Sequence, residues 1–299
     1  MKTIGWVVHG RLKASRQWKT LLSQLTTDSA FRHDIRYTEY AGHGIALSLE
    51  LSKMELAAVV AVGGDGTINE CSNGIVNSGR PIPMGIVAMG TGNDFVKALE
   101  IAGNWEEIKR ALTHEQMVWV DLGKASFVNR EGHLDQRYFI NVLDIGIGGE
   151  VVQRIAKSKR RLGPFLTYQK SILATLLTLQ RPKVQWQSDV HYRDEKTLML
   201  AIANAKWFGS GLGIAPVADI QDGILEVIHL GDISIWDYFR QLPHLRKGVF
   251  LKHPQIRYDK ARQVRVFTPN MPIDCDGEFI GFTPLMVQMI PRGIRILRP

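Results

Sequence analysis

Hydrophobic and polar positions follow two different periods along this chain, one in each half. In residues 1–120, short apolar runs alternate with segments whose apolar positions recur every three or four residues. The short runs are typical of buried strands and the longer period of helices. The runs lie at 3–8, 34–38, 57–62, 84–88 and 117–120, and the helical segments centre near 20, 47, 72 and 108. This alternation predicts a parallel sheet covered by helices on both faces.

After Asp121-Leu122-Gly123 the pattern changes to strand-like runs with fewer helices between them. These runs lie at 137–143, 183–191, 197–204, 223–230, 262–267 and 284–290. Amphipathic helices are predicted at about 149–158 and at 165–177. The sequence therefore predicts an α/β domain with a parallel sheet over residues 1–120, followed by an antiparallel β-sandwich domain over residues 121–290.

Length and cysteine content narrow the class of protein. A chain of 299 residues is long enough for two separate cores. Its two cysteines, Cys71 and Cys275, form no disulfide framework and no metal-ligand spacing, which favours a reducing cytoplasm. The apolar stretch at the start is too short for a signal peptide, and no segment is predicted to span a membrane.

The net charge of +8 favours anionic partners, and the excess is concentrated in two basic stretches at 154–161 and 240–265. A solvated surface is the ordinary interpretation of such stretches. The sharper one is peripheral association with anionic lipid at the inner face of the membrane. Nucleic acid is not the expected partner, because a single-strand groove would need interleaved exposed aromatic residues. Nothing in the pattern decides the oligomeric state, and a homodimer stays open.

Two glycine-rich loops follow predicted strands and carry the clearest chemical signal. Gly63-Gly64-Asp65-Gly66-Thr67 leads into one helix, and Gly90-Thr91-Gly92-Asn93-Asp94 leads into another. Glycines allow close backbone approach, and a helix N-terminus offers free N–H groups to phosphate. The carboxylate of Asp65 in such a loop suggests a divalent cation or a hydroxyl to be deprotonated. Neither loop fits the Walker-type or the dinucleotide fingerprint.

Two turns in the second half carry further carboxylates. Asp219 and Asp222 lie three residues apart before a predicted strand, where oxygen ligands could hold Mg²⁺ or simply cap a solvated turn. Asp276-Gly277 is typical of a hairpin turn, and Glu278 follows it directly. Anion loops together with carboxylate-bearing turns are typical of metal-assisted phosphoryl transfer.

Four motifs in this order resemble the diacylglycerol kinase catalytic family, in particular its soluble bacterial lipid kinases related to sphingosine and ceramide kinases. The motifs are GGDGTINE at 63–70, GTGNDF at 90–95, the turn from Ala215-Pro216 to Asp222-Gly223, and Asp276-Gly277-Glu278. The likeness runs over nearly the whole chain. It implies an N-terminal nucleotide-binding domain to which the last residues, 291–299, return.

The resemblance also implies an ATP- and Mg²⁺-dependent kinase that phosphorylates a lipid hydroxyl, with diacylglycerol as the default acceptor and phosphatidic acid as the product. Glu278 matches the proton acceptor, whereas Asp65 would organise Mg²⁺-ATP and is the second choice for the base. Asp219, Asp222 and the carbonyl of Ile224 match a Mg²⁺ site. The expected ATP contacts are Thr38, Gly64, Asp65, Gly66, Thr67, Ile68, Asn69, Glu70 and Thr91.

One departure from the family pattern leaves alternatives open. The usual Asn-Pro turn after the first strand is replaced by residues His9 to Ser15, where Arg11 or Lys13 could supply a charge instead. NAD kinase shares a GGDGT-type loop and a sandwich domain, but it does not ordinarily carry GTGNDF or the final Asp-Gly-Glu. A degenerate relative that binds nucleotide or lipid as a regulator is the third interpretation. Retention of Asp65, Asp222 and Glu278 argues against it.

Overall fold

The computed structural model describes residues 2–157, 174–175 and 181–299. The chain forms two compact units, one of Met1–Leu122 with Pro291–Pro299 and the other of Gly123–Ile290. We call them unit 1 and unit 2. The chain passes from unit 1 to unit 2 within one strand and comes back within the last strand.

Unit 1 alternates strands and helices. Its strands are β1 (Lys2–Val8), β2 (Phe31–Tyr37), β3 (Ala58–Gly63), β4 (Met84–Ala88) and the first part of β5 (Met117–Asn129). Its α-helices are α1 (Arg16–Thr27), α2 (His43–Ser52), α3 (Asp65–Asn77), α4 (Asp94–Leu99) and α5 (Trp105–Thr113), and a 3-10 helix covers Gly10–Ala14.

The sheet of unit 1 is parallel, with the order β4-β3-β1-β2. Beside β4, the end of the last strand adds a parallel pairing between Ile296 and Met84. Every residue of β3 is buried, as a central strand covered on both faces requires. Trp6 and Trp18 pack with Trp105 in one core cluster, and α2 and α3 pack against each other.

Unit 2 is built of antiparallel strands. They are the remainder of β5, β6 (Leu134–Phe139), β7 (Val142–Gly146), β8 (Lys183–Ser188), β9 (Tyr192–Lys196), β10 (Met199–Ala203), β11 (Trp207–Phe208), β12 (Leu212–Gly213), β13 (Leu225–Leu230), β14 (Ile256–Ala261), β15 (Gln263–Val266), β16 (Pro272–Cys275) and β17 (Glu278–Leu297). The helices α6 (Ile147–Lys157) and α7 (Ile235–Lys247) interrupt them.

Two layers of strands form the sandwich. One layer has the order β14-β13-β10-β7-β16-β17. The other layer continues from β17, which also pairs with β15 and with β5. From there β15 pairs with β8 and β8 with β9, whereas β5 pairs with β6. The core between the layers includes Phe139, Trp186 and Val264. A second apolar cluster lies on the outer face of the first layer, where Ala201 and Ile228 meet Val151 of α6 and Leu245 of α7.

The predicted fold class is confirmed, with a parallel α/β unit and an antiparallel sandwich. The single strand expected at 137–143 is wrong, because the chain breaks between β6 and β7, where backbone N–H groups of residues 140–142 bind the carboxylate of Asp276. The strands β9, β14 and β16 and the helix α7 were not predicted. The helix expected at 165–177 lies almost entirely outside the described residues.

Candidate functional site

The first glycine loop connects a buried strand to the start of α3. Gly64 is the N-cap of α3, and Gly64, Asp65 and Gly66 are half-buried. The side chains of the next four residues, Thr67 to Glu70, are buried. The N–H of Ile68 already donates to the carbonyl of Gly64 over 3.1 Å. The N–H groups before it in the first helical turn, those of Asp65, Gly66 and Thr67, are the donors that a phosphate can use.

The second glycine loop packs directly on the first. The N–H of Met89 donates to the carbonyl of Gly63 over 2.8 Å. A Cβ at Gly64 would lie 3.1 Å from the Cα of Gly90, so side chains would separate the two loops. Asp65 Oδ1 accepts the N–H of Phe95 over 3.0 Å, and the carboxylate thereby joins the start of α3 to the start of α4.

Asn93 fixes the shape of the second loop. It adopts a left-handed conformation with φ 52°, which asparagine tolerates better than most residues. Its side chain accepts the N–H of Gly90 over 3.2 Å and donates to the carbonyl of the same residue over 3.1 Å. The loop leaves Thr91 exposed beside the glycines.

Thr38 and the altered first loop lie at the same edge of the sheet, after β2 and β1. The Oγ1 of Thr38 accepts the N–H of Gly10 over 3.0 Å, and Thr38 is buried. The loop forms the 3-10 helix Gly10–Ala14, in which Lys13 places its ammonium 4.7 Å from the ring centre of Tyr37. Thr38 is therefore held against the loop that follows β1. The contacts of this loop do not identify Arg11 or Lys13 as a nucleotide ligand.

Glu70 has structural partners of its own. Its two carboxylate oxygens accept the N–H groups of Gly42 and Gly44, each over 2.7 Å. Gly42 is the N-cap of α2, so Glu70 supplies the capping carboxylate that a glycine lacks. The buried carboxylate therefore connects α3 to the start of α2.

The turn at 219–224 leaves both aspartates exposed. Asp219 Oδ1 accepts the N–H of Gln221, and Asp222 Oδ1 accepts the N–H of Ile224, each over 3.0 Å. Both bonds are of the kind that aspartate makes in ordinary turns. In residues 2–157, 174–175 and 181–299, no cluster of three or more His, Cys, Asp or Glu side chains is arranged to hold a metal. Two carboxylates and a carbonyl still supply the oxygen donors that a hard cation uses.

In unit 2, Asp276 and Gly277 form the hairpin turn between β16 and β17, as predicted. Both have positive φ, 50° and 86°, which is the geometry of a type I′ turn. Asp276 accepts N–H groups from Ile140, Asn141 and Val142 over 2.8 to 3.0 Å. This residue therefore fixes the turn to the start of β7.

Glu278 is the first residue after the turn and contacts a cation. Arg137 of β6 donates to its carboxylate over 3.2 Å, and the side chains of Arg137 and Glu278 are 15% and 39% exposed. The ion pair restricts the rotation of the Glu278 side chain. Because that side chain is 39% exposed, its carboxylate remains accessible to a reactant. We regard Arg137 as a positioning residue that the sequence did not reveal.

Comparison with known proteins adds independent findings. Residues 8–125 match the profile of the diacylglycerol kinase catalytic domain, and residues 141–298 match that of the YegS C-terminal NAD kinase beta sandwich-like domain. A diacylglycerol kinase of Staphylococcus carnosus is 25% identical over 268 residues, which are 88% of this chain and 83% of that protein. The chain belongs to the diacylglycerol kinase catalytic family.

Two solved structures show the same fold. A diacylglycerol kinase of Bacillus anthracis superposes with a TM-score of 0.70 at 19% identity, over 100% of this chain and 97% of that one. A yeast NADH kinase superposes with a TM-score of 0.52 at 9% identity, over 100% of this chain and 84% of that one. Family membership makes this chain a lipid kinase, and no helix in its described part is both long and apolar enough to cross a membrane.

The lipid kinase also contains two buried acids that the sequence analysis did not assign. Asp144 of β7 and Asp274 of β16 are direct register partners. Burial raises the pKa of Asp144 to about 7. Hydrogen bonds from the N–H groups of Gly149 and Gly148 lower this pKa, but burial is the larger effect. Burial, and then the charge of Asp144, raise the pKa of Asp274 well above its ordinary value. The Oδ1 of Asp274 accepts the N–H of Gly277 over 2.7 Å, so Asp274 supports the Asp-Gly turn.

Asp144→Asn is expected to stabilise the lipid kinase at pH 8. The raised pKa means that the folded state binds more protons than the unfolded chain, so stability falls as pH rises from about 4 towards about 7. Removing this acid should raise the free energy of unfolding at pH 8 by on the order of 2 kcal/mol, with a smaller gain at pH 5. Urea unfolding at both pH values, with the exposed Glu131→Gln as control, measures the difference. A gain independent of pH would contradict the prediction.

Proposed function

We propose that this lipid kinase transfers the γ-phosphoryl group of ATP to the hydroxyl of diacylglycerol and releases phosphatidic acid and ADP. The observation that carries the proposal is the joining of two glycine loops by Asp65 in unit 1, together with the Glu278 carboxylate held by Arg137 in unit 2. The name of the Staphylococcus carnosus relative supports diacylglycerol as the first acceptor to test. Phosphatidylglycerol and sphingoid bases are the next candidates.

The ATP phosphates would bind the backbone N–H groups at the start of α3. The N–H of Ile68 donates to the carbonyl of Gly64, so the donors to phosphate would be the N–H groups of Asp65, Gly66 and Thr67 before it. Thr38 and the exposed Thr91 add hydroxyls at the same edge. Donors fixed before the substrate arrives need no reorganisation during the reaction, which is how preorganised sites stabilise developing charge.

Glu278 would act as the general base. As the lipid hydroxyl oxygen forms its bond to the γ-phosphorus, its proton passes to the carboxylate of Glu278. The bond from the γ-phosphorus to the bridging oxygen breaks, and ADP leaves with that electron pair. A hydroxyl is a poor nucleophile at neutral pH. A carboxylate held in a fixed position makes it a better one by accepting its proton as the new bond forms.

Mg²⁺ would supply charge neutralisation between the phosphates when bound. The carboxylate of Asp65, half-buried at the start of α3, has the oxygen donors that this ion requires. A second ion would be held by Asp219, Asp222 and the carbonyl of Ile224. The exposure of both carboxylates in one turn fits such an ion, since oxygen atoms at the surface can exchange water for metal.

Asp222→Ala is expected to weaken the metal dependence of turnover without unfolding the chain. The exposed carboxylate is one of three oxygen donors proposed for the second ion, so its removal should raise the Mg²⁺ concentration needed for half-maximal activity. Magnesium titrations of turnover, with circular dichroism to verify folding, measure the effect. Asp189→Asn, at a turn between β8 and β9, is the control. Identical titrations for Asp222→Ala and wild type would leave the turn as a solvated loop.

Turnover with candidate acceptors tests the function itself. The purified chain is incubated with ATP, Mg²⁺ and extracted lipids, and mass spectrometry identifies the phosphorylated product. Phosphatidic acid as the main product supports the proposal. If the main product is a different phosphorylated lipid, its unphosphorylated form is the acceptor instead of diacylglycerol. NAD⁺ supplied as the only acceptor, with ATP and Mg²⁺ present, tests the NAD kinase alternative. The fold shared with the yeast NADH kinase is the reason to include this assay. Nucleotide binding without any turnover would indicate a regulator.

A further inference from the structure

Helix α7 in unit 2 has an apolar side that is packed and an apolar side that is exposed. Leu245 is buried in the cluster on the outer face of the sheet, and Tyr238 packs against it. A capping box between Ser234 and Asp237 defines the start of the helix, and Gly248 ends it. The helix is therefore anchored to the unit by one side only.

The exposed side combines aromatic and basic residues. Trp236 is 75% exposed and Phe239 48%, and Phe250 in the loop after the helix is 46% exposed. Positions 236, 239, 240, 243, 246 and 247 recur at helical spacing and share one face. We call Trp236, Phe239, Arg240, Arg246, Lys247 and Phe250 the aromatic–basic surface.

The positive charges on this surface are available to a partner. Among the described residues, no acidic side chain forms an ion pair with Arg246, Lys247 or the neighbouring Lys252, and all three are exposed. Arg240 is 3.8 Å from Asp237, the one acid of the helix, which also caps it.

Other residues of the same basic stretch are neutralised. Arg257 pairs with Glu195, and Lys260 pairs with Glu226 over 3.1 Å. Within the stretch at 240–265, the charges of Arg257 and Lys260 are therefore compensated inside the unit, whereas those of the helix accompany exposed aromatic rings. Arg262 and Arg265 are exposed at β15, away from the helix.

We propose that the aromatic–basic surface docks this lipid kinase on an anionic lipid bilayer. Trp and Phe side chains enter the boundary between headgroups and acyl chains, and Arg and Lys side chains remain with the phosphates, as in helices that lie in the membrane interface. The inference deepens the proposed function, because a kinase for a membrane lipid must reach its acceptor in a bilayer.

Charge complementarity favours this occupant over a second copy of the chain. A two-fold contact through the surface would bring Arg240, Arg246 and Lys247 of one copy against the same residues of the other. An anionic bilayer instead offers negative charge over its whole area, and it accepts apolar rings without a shaped pocket. Single-stranded nucleic acid also binds basic and aromatic side chains, so oligonucleotide binding is tested as an outcome that overturns the proposal.

Vesicle sedimentation tests the proposal. The full chain is mixed with phosphatidylcholine vesicles that either contain or lack phosphatidylglycerol. We expect binding to the anionic vesicles, weakened by salt because the charges are screened. The charge variant Arg240→Gln/Arg246→Gln/Lys247→Gln should bind them on the order of 100-fold more weakly, about fivefold for each basic residue. The ring variant Trp236→Ala/Phe239→Ala/Phe250→Ala should also lose most of the binding.

Matched controls use residues exposed elsewhere on unit 2. Lys183→Gln/Arg262→Gln/Arg265→Gln removes the same charge, and Tyr192→Ala/Phe267→Ala removes two exposed aromatic rings. Both controls should bind like wild type. Loss of binding in the charge control equal to that in the charge variant would mean that net charge alone acts, and it would overturn the assignment to α7.

Three other outcomes would overturn the proposal. They are equal binding to neutral and anionic vesicles, self-association that depends on the aromatic–basic surface without vesicle binding, and oligonucleotide binding with the same dependence. Turnover with a short-chain acceptor dispersed in water separates this test from that of the function, since both surface variants should keep it. Vesicle binding by a chain that phosphorylates no lipid would refute the proposed function alone.

Discussion

Glu278→Gln is expected to lower turnover by roughly 100- to 10,000-fold while ATP binding stays near wild type. Glutamine has nearly the same shape as glutamate and can still accept a hydrogen bond from Arg137. It cannot take the proton of the lipid hydroxyl. The loss should therefore appear in turnover at saturating lipid and not in the nucleotide requirement, because the substitution lies in unit 2 and the proposed ATP donors lie in unit 1.

Two further variants separate chemistry from position. Arg137→Met removes the partner of Glu278 and keeps the carboxylate, so turnover should fall less than in Glu278→Gln. The exposed Glu131→Gln, in the turn between β5 and β6, should be fully active. Initial rates with saturating lipid, together with ATP affinity from equilibrium titration, measure these effects. Normal turnover by Glu278→Gln would remove Glu278 from the role of base.

Asp65→Asn is expected both to raise the ATP concentration needed for half-saturation and to slow turnover. The ratio of the turnover number to that ATP concentration should fall by about 100-fold. Asparagine keeps an oxygen that can accept the N–H of Phe95, so the two glycine loops should stay joined. Only the negative charge is lost, and with it the ability to organise Mg²⁺-ATP. Kinetics at varied ATP and Mg²⁺ measure both parts of the effect.

Asp65→Ala is the matched comparison, because it removes the charge and the hydrogen bond to Phe95 at once. A larger loss in Asp65→Ala than in Asp65→Asn would measure what the joining of the loops contributes. If Asp65→Asn is inactive with ATP still bound while Glu278→Gln turns over normally, the base is Asp65.

Local pattern was sufficient for the elements that present the glycine loops. Parallel strands buried on both faces have continuous apolar runs, so β3 and β4 could be recognised from residues 57–62 and 84–88. The Asp-Gly pair at 276–277 predicted the hairpin turn, because few other residues adopt positive φ at both positions. These features depend on neighbours in the chain, and short windows of sequence contain them.

The partners of the acidic side chains could not be predicted. Arg137 and Glu278 are 141 residues apart, and nothing around either position marks the other. Asp144 lies in the run Val142-Leu143-Asp144-Ile145, where a lone acid among apolar residues was a signal that went unused. Its pairing with Asp274 depends on the register between two distant strands.

Helix α7 shows the same limit in another form. Trp236, Phe239 and Leu245 are all apolar, and hydrophobic periodicity treats them alike. The structure buries Leu245 and leaves both aromatic residues exposed. Likewise, the basic stretch at 240–265 was uniform in the sequence, yet Arg257 and Lys260 are paired with acids of other strands.

By itself, the sequence determined the two-domain fold class, the family and the loops that could hold phosphate, because apolar period and turn chemistry are local properties. The tertiary structure alone decided that Asp65 joins the two glycine loops, that Arg137 holds Glu278, and which apolar and basic residues of α7 face outward. Each of these depends on the packing of elements far apart in the chain. The free energy of that packing comes from the whole core, and no short segment encodes it.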